Sequence, residues 1–132
     1  MALFQVIYAS TPFGFDRGML NGILADARRC NERDDVTGAL ICRADLYLQL
    51  LEGPESAVRG AFARIVGDDR HLEPVCLVAA PVERRLFPGW AMRDDPARSW
   101  MWTQEEVAAG AVARATPDAA RAIFERLAAE AA

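Results

Sequence analysis

Apolar positions fall into two spacings along this chain, and the switches between them mark its elements. Leu3 to Ser10 (LFQVIYAS) is a short, nearly continuous apolar run followed by Thr-Pro-Phe-Gly, which predicts a buried strand ending in a turn. From Phe15 to Arg29 the apolar residues stand at 15, 19, 20, 23, 24 and 27. Those offsets of three and four make one face of a helix. Val36 to Cys42 and Leu46 to Leu51 read as strands, joined by Arg43-Ala44-Asp45, which is short enough for a hairpin. Gly53-Pro54-Glu55 breaks the second of these strands. Proline suits the first turn of a helix, whose stripe is Ala57, Val58, Ala61, Phe62 and Ile65. Gly67-Asp68-Asp69-Arg70 closes it. Val75 to Val82 is a further apolar run, and Arg85 to Met92 is a fifth strand candidate after a turn at Glu83-Arg84. The order β-α-β-β-α-β-β predicts an α+β, ferredoxin-like domain, one sheet with two helices on one face. Two alanine-rich helical stretches follow, Thr103 to Ala113 and Pro117 to Ala129, with Thr116 placed as N-cap and Pro117 as the first helical residue.

Composition narrows the class. The chain has 132 residues, enough for one domain, with 52% apolar and 26% charged side chains, as in a soluble globular protein. A domain of this size buries roughly two-thirds of its unfolded surface and needs no disulfide or metal staple. The net charge of -4, from 15 basic and 19 acidic residues, argues against a nucleic-acid partner, which calls for a basic face. It leaves room for a local basic pocket that takes one small anion. No run reaches the ~18 apolar residues of a membrane span, and MALFQVIYAS lacks the marks of a signal peptide. A cytoplasmic protein is the expectation, with Cys30, Cys42 and Cys76 as reduced thiols. Together with His71 they have no metal-ligand spacing, so no metal site is expected.

Phosphate-loop, dinucleotide and zinc-protease motifs are absent. The single histidine, His71, reads as a solvated residue at a helix end, or with Arg70 as an anion holder. Tyr8 and Ser10 share one face at the end of the first strand. Gln49 interrupts LYLQLLEG on the same face as Tyr47 and Leu51. Taken singly, Gln49 is an outward polar residue and Asn31 a helix C-cap. Taken together they say more. A buried Gln beside a Tyr on the next strand is a satisfiable pair, since the amide both donates and accepts. Asn31 adds another amide to the same cleft, which would suit a flat, polar-edged ligand between two helices.

These residues sit in a series of motifs that resembles the BLUF domain, a blue-light sensor that uses flavin. The resemblance runs from Leu3 to Met92 through YAS at 8–10, ILADARRCN at 23–31, VTGAL at 36–40, YLQLLEG at 47–53, RIVGDDRH at 64–71 and RLFPGWAM at 85–92. It implies a non-covalent flavin between the first and second helices, FAD first, with FMN and riboflavin as alternatives. Tyr8 and Gln49 match the family's photoactive pair. Trp90 and Met92 match the fifth-strand residues that compete for the place beside Gln49. Asn31 matches the asparagine at the ring edge, with Ser10 near the same cleft, and Ile23 and Ile65 match residues that sandwich the ring. Arg64, Arg70 and His71 match positions near the ribityl and phosphate end. One departure is Cys30, where family members often carry His or Asn. A thiol is a weak donor, so Arg28 or Arg29 would compensate. Cys30 also raises the alternative of a cysteinyl adduct, which needs an activated thiolate.

The resemblance implies a photosensor and not an enzyme. Residues 1–95 would be the sensor core and residues 96–132 a helical extension that packs on the sheet or forms an oligomer or partner contact. About 40 residues beyond Met92 are too few for a cyclase or phosphodiesterase domain. The output would then pass to a separate signalling protein, in a chain expected to self-associate. Trp100 and Trp102 are expected to pack the tail on the sheet. Two rival classes remain, an acylphosphatase-type hydrolase holding phosphate with Arg and Asn, and a flavin-free relative that only binds a partner.

Overall fold

A computed structural model describes residues 2–14 and 16–130. Five strands form one sheet in the order β4-β1-β3-β2-β5, with β1 at Leu3–Pro12, β2 at Thr37–Arg43, β3 at Leu46–Gly53, β4 at His71–Val82 and β5 at Arg93–Pro96. Successive side chains of a strand point to opposite faces, and that alternation builds two cores. On one face Val6, Tyr8, Leu40, Tyr47 and Leu51 meet α1 (Arg17–Asp34) and α2 (Glu55–Val66). On the other Ile7, Ala9, Ile41, Leu48 and Leu50 meet Ile123, Phe124 and Leu127 of α5 (Pro117–Glu130). The expected α+β sheet with two helices on one face is therefore what forms, and the tail covers the other face. Trp100 and Trp102 pack against that second core. β3 lies in the middle and is buried along its whole length.

The helix boundaries differ from expectation for local reasons. Phe15 lies outside the described residues. Asp16 caps α1, its carboxylate accepting from the Met19 amide at 2.7 Å. The helix runs past Arg29 to Asp34, and the cap is Asp35, in the left-handed region at φ 60°, whose N–H donates to the Asn31 carbonyl. Asn31 is thus inside the helix and is not its cap. The predicted helix over Thr103–Ala113 is two short ones, α3 (Gln104–Ala108) and α4 (Ala111–Arg114), divided at Gly110 with φ 96°. Thr103 and Glu106 close a capping box on α3.

The fifth strand is the main correction. Arg85 to Met92 forms no strand, and β5 begins only at Arg93. Pro88-Gly89 interrupts the run, and its neighbouring backbone groups find side-chain partners instead of a ladder. The Glu52 carboxylate accepts from the Leu86 and Phe87 amides at 2.8 and 2.7 Å. Phe87 enters the second core edge-on to Phe124, with ring centroids 6.3 Å apart. The short β5 then runs parallel to β2, Ala39 opposite Arg93 and Ile41 opposite Asp95. Gly38 sets the start of that pairing, since its N–H donates to the Trp90 carbonyl at 3.0 Å. A Cβ there would lie 1.9 Å from the Leu50 carbonyl oxygen, so no other residue fits. Among the described residues no helix is long and apolar enough to cross a membrane.

Candidate functional site

Antiparallel pairing of β1 with β3 places Tyr8 directly opposite Gln49, on the face covered by α1 and α2. Both are buried, and the Tyr8 hydroxyl donates to Gln49 Oε1. The other end of the same amide, Nε2, donates to Met92 Sδ at 3.1 Å. Phenol, amide and thioether thus form one buried line across β1, β3 and the entry to β5. Burial pushes the Tyr8 phenol well above its ordinary value, and Asp68 adds to the effect. Tyr8 is a neutral phenol in the resting protein.

Beside this line a cavity of about 240 Å3 opens between α1 and α2. Ile23, Ala61 and Ile65 give it apolar walls, Gln49 and Asn31 bring amides, and Arg64, Arg70 and His71 stand in its lining. Asn31 is held by α1 one turn from its end, and its Nδ2 donates to the Ala91 carbonyl at 2.7 Å. Its carboxamide oxygen takes no hydrogen bond among the described residues and remains an acceptor for a ligand. Ligand pockets are typically apolar with a few placed polar groups, and this lining has that character. A flat aromatic ring with amide-like edges fits it.

The expected residues fall into distinct roles. Ser10 and His71 do not meet solvent. Ser10 Oγ and His71 Nδ1 are 2.8 Å apart, and both residues are buried. His71 is the first residue of β4 and no helix-end histidine, and its ring packs 5.1 Å from Tyr47 and 5.9 Å from Tyr8. The cavity mouth is charge-balanced where a basic pocket was expected. Arg70 is clasped by Asp68 and Asp26 at 2.6 and 3.0 Å, and Arg64 reaches Asp34 at 3.5 Å.

Five expected residues lie outside the cavity lining: Tyr8 and Met92 reach it through Gln49, Ser10 reaches it through His71, and Trp90 and Arg28 are turned elsewhere. Trp90 is 51% exposed and does not reach Gln49, whose neighbour is Met92. Arg28 points to β5, its Nε donating to the Met92 carbonyl at 3.0 Å and its Nη2 to Asp94 at 3.1 Å. Arg29 and Cys30, raised for the ring edge, do line the cavity, and so do Asp26, Ala27 and Asp68, which were not expected there. Asp26 and Ala27 follow Ile23 at the helical spacings of three and four, and Cys30 repeats those spacings from them. Extending the helical face past its apolar positions therefore finds them.

Burial lowers the His71 pKa from its usual value near 6.5, with Arg70 acting in the same direction and Asp68 against it. As pH falls through 6.5 the unfolded chain takes up a proton that the folded one refuses. The stabilisation is therefore complete above 6.5 and is lost as pH drops through the folded value. His71 is the only histidine. The urea midpoint is expected to fall between about pH 7 and pH 5 in the wild type and to flatten in His71→Gln. An equal slope in both would remove His71 as the cause.

The geometry has clear relatives. The family model described as sensors of blue-light using FAD (BLUF) matches residues 3–93. Among curated proteins, photoactivated adenylate cyclase subunit beta of Euglena gracilis is 35% identical over 74 residues, covering 55% of this chain and 9% of the relative. The chain thus spans a small fraction of the curated relatives it matches. Among solved structures, the dark-state BLUF protein BlrB superposes with a TM-score of 0.78 at 26% identity, covering 98% of this chain and 97% of that one. Klebsiella pneumoniae BlrP1 with FMN and cyclic diGMP gives 0.67 at 27% identity, covering 85% of this chain and 30% of that one.

Proposed function

The chain belongs to the BLUF family of flavin-based blue-light sensors, and from that premise we propose that its output is a rearrangement of Gln49 passed to β5 and the tail. The observation that carries this reading is the buried Tyr8–Gln49–Met92 line beside a cavity of amides and apolar walls. When bound, a flavin supplies blue-light absorption and, once excited, a strong acceptor for one electron. Ile23 and Ile65 would hold its ring, Asn31 and Gln49 would meet its polar edges, and Arg64, with Arg70 and His71, would stand near the ribityl and phosphate end. Ser10 keeps His71 oriented there. FAD is the first assignment, as in the family description, and FMN the second, as in BlrP1.

The protein's own residues determine the switch. A buried neutral phenol gives up an electron only with its proton, and Gln49 Oε1 is already placed to receive that proton. A Gln49 amide that has rotated or tautomerised presents different groups at both ends. In the rotated form the amide oxygen faces Met92, whose thioether sulfur accepts hydrogen bonds and has none to give. The Gln49–Met92 bond is then lost, and β5 is released on one side. The arrangement is a two-state element biased by one local hydrogen bond.

Residues 1–95 act as the sensor and residues 96–132 as the extension through which it is read. In this reading the chain has no catalytic output of its own and signals to a separate protein in the cytoplasm, as a homo-oligomer. Free thiols at Cys30, Cys42 and Cys76 suit a reducing compartment. Burial raises the Cys42 thiol to about 11, which keeps it from acting as a nucleophile. The test is the absorption spectrum of the flavin-loaded protein in darkness and after blue light. A small shift to longer wavelength that reverses in the dark is expected. Bleaching of the blue band would instead assign a Cys30 adduct, and a protein that takes up no flavin would overturn the reading.

A further inference from the structure

The approach to β5 is held in an unusual way. Trp90, Ala91 and Met92 present consecutive carbonyls to three unrelated donors, the Gly38 amide at 3.0 Å, the Asn31 amide at 2.7 Å and Arg28 Nε at 3.0 Å. β5 itself is only four residues long and lies at the sheet edge, paired on one side alone. Its ladder offers little hold, so these three bonds fix the backbone that carries the Met92 side chain into the core. Two of the donors have other duties. Gly38 belongs to the β2–β3 ladder, and Asn31 lines the cavity. Arg28 does neither. It lies one turn before Asn31 on α1, outside the cavity lining, with 43% of its side chain exposed. Its fork spans the Met92 carbonyl and the Asp94 carboxylate, a geometry that a lysine does not reproduce.

We propose that Arg28 is the positioning residue that seats Met92 against Gln49 and keeps Trp90 outside. This rests on the switch proposed above but concerns a contact formed entirely within the protein. Through Met92, Arg28 favours the resting orientation of the Gln49 amide. Redocking of Met92 after light is then assisted by the guanidinium waiting at its carbonyl. The half-exposed Asp94 orients Arg28 and contributes little by itself.

The test uses the full chain loaded with flavin and labelled at the methionine methyls. In Arg28→Ala the Met92 methyl resonance in darkness is expected to move or broaden, with Arg28→Lys intermediate and Asp94→Asn close to wild type. Flavin loading should be unchanged, because Arg28 does not line the cavity. Dark recovery should slow by about fivefold, which is what losing one hydrogen bond of about 1 kcal/mol confers. That slowing should vanish in a Met92→Ala background, since Arg28 acts through Met92. An unmoved Met92 resonance in Arg28→Ala overturns the positioning role. A moved resonance with unchanged recovery, or an effect that persists without Met92, overturns its part in the switch. If the wild type shows no light-induced shift, the photosensory reading falls, while the methyl resonance still decides whether Arg28 seats Met92.

Discussion

Tyr8→Phe is expected to keep the fold and the flavin and to abolish the light-induced spectral shift. The substitution removes one oxygen and leaves the ring, which packs 5.3 Å from Phe62 and lies within the core under α1 and α2. Tyr8 does not line the cavity, so flavin loading should be preserved. The stability cost is that of a buried Gln49 Oε1 left without its donor, about 1–3 kcal/mol. The functional cost is of another order. Without the hydroxyl there is no proton for Gln49 to receive, and a phenylalanine ring is far harder to oxidise than a phenol. The amide therefore stays in its resting orientation and the Met92 bond stays made. The measurement is the light-minus-dark difference spectrum at matched flavin content. A shift of wild-type size in Tyr8→Phe would remove Tyr8 from the mechanism. Gln49→Leu is the matching control, since it keeps Tyr8 and removes the group that rearranges.

Whether a feature of this fold is legible in the sequence depends on the range of the interactions that make it. Alternation within β1 and β3 is enough to put Tyr8 and Gln49 each on a defined face, while it is the sheet order, with β3 and not β2 beside β1, that makes their strands neighbours. The cavity walls from α1 follow from the same helical face that carries Ile23 and Asn31. The segment after β4 is not legible in this way. Its apolar residues suggest a strand over Arg85 to Met92, but its backbone is satisfied by Glu52, Asn31 and Arg28, which are some 34 to 64 residues away. Local pattern does not carry such side-chain bonds to backbone. Arg28 illustrates the same limit. Arg28 and Arg29 are adjacent and chemically identical, yet the ~100° step of a helix sends one to β5 and the other to the cavity. His71 reads as solvated beside Asp-Asp-Arg, and only the β1–β4 pairing, with Pro12 opposite it, brings it indoors to Ser10.

Glu52→Ala should destabilise the sensor strongly, by about 3–5 kcal/mol. Glu52 is fully buried in β3, and its carboxylate serves three donors, the Leu86 and Phe87 amides and Thr37 Oγ1. Burial raises its pKa, and the bonds from Leu86 and Phe87 pull the other way. Alanine would strip an acceptor from two backbone amides that have no water to replace it, at about 1–3 kcal/mol each. The melting temperature should fall by roughly 10–20 °C, at a few degrees per kcal/mol for a chain of this size. Glu52→Gln should lose about half as much, because one carboxylate oxygen remains as an acceptor and the other becomes an NH2 facing a donor. The loss also has a direction within the fold. Glu52 fixes the start of the segment that carries Phe87 into one core and Met92 into the other, so loosening it unseats both ends of the path from cavity to tail. Glu52→Gln, folded but slackened at that point, should therefore show a broadened Met92 methyl resonance while still binding flavin. An unperturbed Met92 in a measurably destabilised Glu52→Gln would separate the fold's anchor from the switch, and would place the hold on Met92 with Gly38, Asn31 and Arg28.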